Sequence, residues 1–76
     1  MAWMEISPGH DGFSVKNKVI ADVEMDNLDP DSPYIVRIIG KVCGRAKTQA
    51  GGQTIIEYQL LQLCRDITNE LKKIHR

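Results

Sequence analysis

An unbroken run from Thr54 to Ile74, free of proline and glycine, constrains this chain more than any other feature. Ile56, Leu60, Leu63, Cys64, Ile67, Leu71 and Ile74 recur in it at steps of three and four. At roughly 100° per residue they form one stripe about 100° wide, the width of a core-facing helix face. Gly51 and Gly52 break the chain just before it, and Thr54-Ile55-Ile56-Glu57 has the form of a capping box. Glu57 near the start and Lys72, Lys73 and Arg76 near the end match the helix dipole. The pattern predicts a helix over 54–74. A competing reading makes residues 53–60 a strand, because Thr54, Ile56, Tyr58 and Leu60 also alternate with Ile55, Glu57 and Gln59. Length and the continuing stripe favour the helix.

Two earlier stretches carry strand periodicity. Over 12–26, Val15, Val19, Ala21, Val23 and Met25 share one face, and Lys16, Lys18, Asp22, Glu24 and Asp26 share the other; Ile20 alone breaks the pattern. Over 34–43, Tyr34, Val36, Ile38 and Val42 alternate with Ile35, Arg37, Ile39, Lys41 and Cys43, which suggests cover on both faces. Between them, Asp29-Pro30-Asp31-Ser32-Pro33 is turn chemistry. An antiparallel pairing that keeps buried face with buried face can set Glu24 opposite Arg37. Residues 44–53 read as a basic, glycine-containing loop into the helix. Ahead of the Pro8-Gly9-His10-Asp11-Gly12 break, Trp3 and Ile6 suit either a short edge strand or direct packing on the helix. The expected fold is α+β, one small domain over 1–76: an antiparallel meander of two to three strands packed against one long C-terminal helix. Val19, Val23, Val36, Ile38, Leu60, Leu63, Ile67 and Leu71 are the expected core.

A chain of 76 residues buries a smaller share of its surface than a large one, so association would add stability. Ten basic and ten acidic side chains balance, and no global field steers the chain to nucleic acid or anionic membrane. No run approaches a membrane span, and a cytoplasmic protein with Cys43 and Cys64 as reduced, partly buried thiols is expected.

Catalytic and metal constellations are thin. Asp22, Glu24, Asp26, Asp29 and Asp31 lack calcium-loop spacing and read as a solvated face. His10 and His75 stand at opposite ends, and neither has ligand spacing to a cysteine. Gly44 to Gly52 lacks the Lys-Ser/Thr of a phosphate-binding loop. The expectation is therefore no enzyme, no cofactor and no metal. Two contact surfaces stand out instead. Tyr58, Leu61 and Arg65 project away from the helix stripe and combine residue types that concentrate interface energy. They suggest a protein–protein interaction module, an accessory, regulatory or inhibitory factor that self-associates as a homodimer. Arg37, Lys41, Arg45 and Lys47 form a basic block with no acid between Asp31 and Glu57, the alternative being weak binding of single-stranded nucleic acid. With 53–60 as a strand, the rhythm from Tyr34 to Leu60 loosely resembles part of a small oligonucleotide-binding β-barrel, which feeds only that alternative.

Overall fold

The computed structural model describes residues 3–74, so His75 and Arg76 lie outside the described residues. Five strands and one helix follow in order: β1 (Trp3–Ser7), β2 (His10–Val15), β3 (Lys18–Met25), β4 (Tyr34–Ile38), β5 (Lys41–Ala46) and α1 (Gln49–Ile74). The strands form one antiparallel sheet in chain order, and α1 packs on one face against β3, β4 and β5. The α+β class is as expected, with five strands instead of two to three.

Each expected strand contains more structure than alternation alone reveals. The stretch 12–26 is a hairpin whose two-residue turn, Lys16-Asn17, takes positive φ at both positions (50° and 68°). The stretch 34–43 is likewise broken, because Ile39 and Gly40 turn back with φ of 52° and 76°. Paired positive φ values match the right-handed twist of the flanking strands. Gly40 adopts one freely, whereas a β-branched residue such as Ile39 rarely does, and no propensity rule would place a turn there. Its N–H is satisfied by the Ile20 carbonyl at 2.8 Å.

Strand β5 takes the first part of the expected loop 44–53, and the helix starts at Gln49, ahead of Thr54. Thr48 is the cap: its hydroxyl accepts from the Gly51 N–H at 2.9 Å, and its carbonyl accepts from Gly52. Thr54 sits inside the helix and donates its hydroxyl to the Ala50 carbonyl, so the expected capping box does not form. Residues 53–60 are helical, which removes the strand reading and the barrel-like rhythm with it.

The register explains which side chains meet. β3 and β4 pair Asp22 with Arg37, Val23 with Val36 and Glu24 with Ile35. Arg37 therefore faces Asp22, one step along the same face from the expected Glu24. Between β2 and β3 the register shifts at Phe13/Ser14, where Ile20 is the extra residue. The bulge turns Ile20 toward the helix side, beside Phe13 and Leu60. It sends Val19 to the other face, where an added Cβ on Gly12 would lie 3.1 Å from it. The single exception in the alternation of β3 marks this bulge.

The core is small: Ala21, Val23, Val36, Ala46 and Ile56 are buried, with Trp3, Phe13, Tyr34, Ile38, Ile55 and Leu60 packed around them. Of the expected core, Val23 and Val36 are buried and Ile38 and Leu60 are half-buried, but Val19, Leu63, Ile67 and Leu71 are exposed. Val19 was turned out by the bulge; the other three lie beyond the sheet. Gly52 sets this arrangement. A Cβ there would stand 2.7 Å from Val23 Cγ1 and 3.3 Å from Val36 Cγ2, so only a glycine lets the backbone approach so closely. Alanine is ordinarily better than glycine by about 1 kcal/mol in a helix interior. Here we expect the opposite sign: Gly52→Ala should lower stability by about 1–3 kcal/mol through overpacking. Denaturant unfolding reads this directly, and an unchanged or higher midpoint would contradict the close approach.

Candidate interaction surface

Twenty-six residues of α1 span about 39 Å at 1.5 Å per residue, and the molecule is 50 Å long and 25 Å by 18 Å across. Only Gly52 and Ile56 of α1 are buried. Every residue from Leu61 to Ile74 is exposed. The helix thus leaves the sheet one turn after Ile56 and continues alone. Its apolar stripe does not stop there: Leu63, Ile67 and Leu71 are 43–50% exposed and Ile74 73%. Ile56 and these residues are one stripe, since steps of three and four keep a single direction. The side that binds the sheet in the first half of α1 is the side left uncovered in the second.

At the point of departure lies an apolar groove of about 490 Å³, lined by Phe13, Val15, Ile20, Leu60, Leu61 and Cys64, with Glu57 at its border. Glu57 accepts the indole N–H of Trp3 at 3.1 Å, and the Trp3 and Phe13 rings meet edge to face with centroids 5.2 Å apart. Gln53 donates to Asp11 at 2.7 Å. These ties pin β1 and β2 to the seated half of α1. Cys43 and Cys64 are free and exposed, not partly buried as expected.

The three residues expected at a contact surface all lie exposed on α1. Leu61 borders the groove at 62% exposure, whereas Tyr58, 67% exposed, and Arg65, also exposed, are not among its lining residues. Leu61 and Arg65 instead share a second groove of about 430 Å³ with Cys64, Thr68, Asn69 and Lys72, and Tyr58 lines neither.

The basic block also divides. Arg37 donates Nε and Nη2 to the two oxygens of Asp22 at 3.2 and 3.0 Å, and Nη2 also donates to Glu24 Oε1. Arg45 donates to the carbonyls of Ser32 and Asp26 at 2.9 and 3.1 Å, fastening the loop between β3 and β4 to β5. Lys41 and Lys47 are exposed. Asp26 and Asp29 accept from the N–H groups of Leu28 and Asp31, the local bonding expected of turn aspartates.

On the sheet face away from α1, His10 joins Arg37, Asp22 and Glu24. His10 Nε2–H donates to Asp22 Oδ2 at 2.7 Å, and Nδ1 lies 3.7 Å from Glu24 Oε2. The sequence reading placed His10 in the break at 8–12, whereas it opens β2. An uninterrupted register from the Lys16-Asn17 turn would set His10 opposite Val23; the bulge at Ile20 sets it opposite Glu24. His10, Asp22 and Glu24 bring ligand atoms within 4.8 Å of one another, close enough for a cation. The Arg37 guanidinium already engages both oxygens of Asp22 and one of Glu24, so an incoming cation would meet a fixed positive charge there. The group is a cross-strand ion-pair network.

Among the described residues, no helix is long and apolar enough to cross a membrane. In comparisons with known proteins, no family model, no curated protein and no solved structure matches this chain.

Burial raises the Asp22 carboxyl, but hydrogen bonds from Arg37 and His10 outweigh it and hold the group below its ordinary 3.8. The Arg37 guanidinium is held more firmly protonated by the same carboxylates. A depressed carboxyl contributes stability that is present above its unfolded value and lost as pH falls through the folded one. Asp22→Asn should therefore cost about 1–3 kcal/mol at neutral pH, leaving Arg37 short of its main partner. The gap to the parent should close as pH falls below about 4. Unfolding curves across pH 2–7 check it; a gap independent of pH would contradict the ion-pair account.

Proposed function

We propose that this chain is a protein–protein interaction module that self-associates through the exposed second half of α1, serving as an accessory, regulatory or inhibitory factor and not as an enzyme. The observation that carries the reading is the stripe of Leu63, Ile67, Leu71 and Ile74, uncovered from Leu61 onward. A helical segment of some 14 residues with no tertiary support is marginal in water. Apolar patches of several hundred Å² are at the upper end of what monomers expose and are often contact sites. Covering the exposed parts of Leu61, Leu63, Ile67, Leu71 and Ile74 removes on the order of 500 Å² per chain, or about 1,000 Å² for a pair, the lower bound of a specific interface.

The surface differs from the one the sequence suggests. Leu61 keeps a place at its edge, and Arg65 borders it through the second groove that the two residues share. For nucleic-acid binding through the basic block, Arg37 and Arg45 already have carboxylate and carbonyl partners, and Lys41 and Lys47 are exposed.

Ile67→Lys puts a charge at the middle of the stripe without touching the sheet. At tens of micromolar, the parent should sediment as two chains and Ile67→Lys as one, with the strand signal in circular dichroism retained. A parent that sediments as a single chain at every concentration would sink the proposal.

A further inference from the structure

Resting on that reading, we propose that the occupant of the stripe is the same segment of a second copy, running antiparallel, with the two-fold axis at Ile67 and the partner's Ile74 end seated in the groove beside Leu60. Two independent features point to this arrangement.

The first is a symmetry of spacing. Leu60, Leu63, Ile67, Leu71 and Ile74 are separated by three, four, four and three residues, a sequence of steps that reads the same in both directions. Laying the segment antiparallel on its own copy about Ile67 brings Leu60 level with Ile74 of the other chain. Leu63 comes level with Leu71, and Ile67 with Ile67. Every level then holds apolar residues from both chains, the requirement of a self-complementary two-fold contact. Cys64 is the remaining stripe member, and its symmetric counterpart is Glu70 at the margin.

The second is steric. The sheet occupies the same side of α1 that a partner must take, as Gly52 and Ile56 demonstrate by their burial. A parallel copy aligned residue for residue would carry its own residues 49–60, and the sheet attached to them, into the volume of the first sheet. An antiparallel copy overlaps only along residues 60–74 and reaches Ile74 where the first sheet begins. At that corner the fold leaves the groove of about 490 Å³ between Phe13, Val15 and Ile20 on the sheet side and Leu60, Leu61 and Cys64 on the helix. Leu71 and Ile74 on the partner's stripe match its chemistry.

The arrangement separates the native thiols. Cys64 of one chain and Cys64 of the other lie six residues apart along the axis, about 9 Å at 1.5 Å per residue. That exceeds the 3.5–4.5 Å between Cβ atoms of a disulfide. A parallel pair would set them side by side.

Disulfide trapping decides the orientation. In the full chain carrying Cys43→Ser and Cys64→Ser, Leu63→Cys and Leu71→Cys are made as separate variants, mixed as equals and oxidised. Both positions are exposed, so the fold does not depend on either. The expected product is the mixed 63–71 disulfide, in at least roughly tenfold excess over either homodisulfide. Predominant 63–63 and 71–71 products, with the unoxidised parent sedimenting as two chains, would overturn the antiparallel arrangement and leave self-association standing. A parent of three or more chains would overturn the pair, and a single-chain parent would overturn both this inference and the reading it rests on.

Discussion

The approach of Gly52 to Val23 and Val36 decides where the helix sits, and most of the molecule follows from it. The missing side chain lets the first turns of α1 lie flat on β3 and β4, with Ile56 fully buried one turn later. Seating a helix at its start leaves its remaining length to project past a small sheet. The fold therefore has a compact half, with a core of only five buried apolar residues, and an extended half with none. A chain of this size has little surface to spare for a second core of its own. The stripe of Leu63, Ile67, Leu71 and Ile74 stays exposed beyond the sheet.

The two faces of the sheet carry different chemistry for the same geometric reason. Alternation along β3 sends Ala21 and Val23 to the helix and Asp22 and Glu24 to the opposite face, where Arg37 pairs with both and His10 hydrogen-bonds Asp22. That network has the residue types of a binding site, yet its hydrogen-bonding capacity is largely consumed within the fold. The apolar overhang lacks polar chemistry and is unsatisfied. Unsatisfied surface, more than reactive side chains, is what distinguishes a contact region in a protein this small.

Much of this was legible in the sequence, and the departures have identifiable causes. The stripe from Ile56 to Ile74 foretold the long helix, and the alternation of Ala21 to Met25 foretold a strand with one wet face. Two turns were hidden: Lys16-Asn17 lacks a glycine, and Ile39-Gly40 places a β-branched residue where left-handed φ is required. The bulge at Ile20 was visible only as one residue out of step, and it moved both Val19 and His10. Gly51 and Gly52 resembled a break because glycine weakens helices; Gly52 instead lies within the helix because it must pack closely. Periodicity also predicted burial for Leu63, Ile67 and Leu71, since a stripe records that a face needs cover and is silent on which molecule supplies it.

The central claim is that the second half of α1 is covered by a second copy of the chain, and amide hydrogen exchange tests it residue by residue. An unsupported helical end opens with little free energy and exchanges quickly, whereas an end buried against a partner is protected in proportion to association. On raising the protein from below the dissociation constant to tens of micromolar, exchange of the amides between Leu63 and Ile74 should slow by about tenfold or more, while those of β3 and β4 stay unchanged. Fast exchange in that segment at every concentration would mean that the stripe stands bare, and would contradict the account.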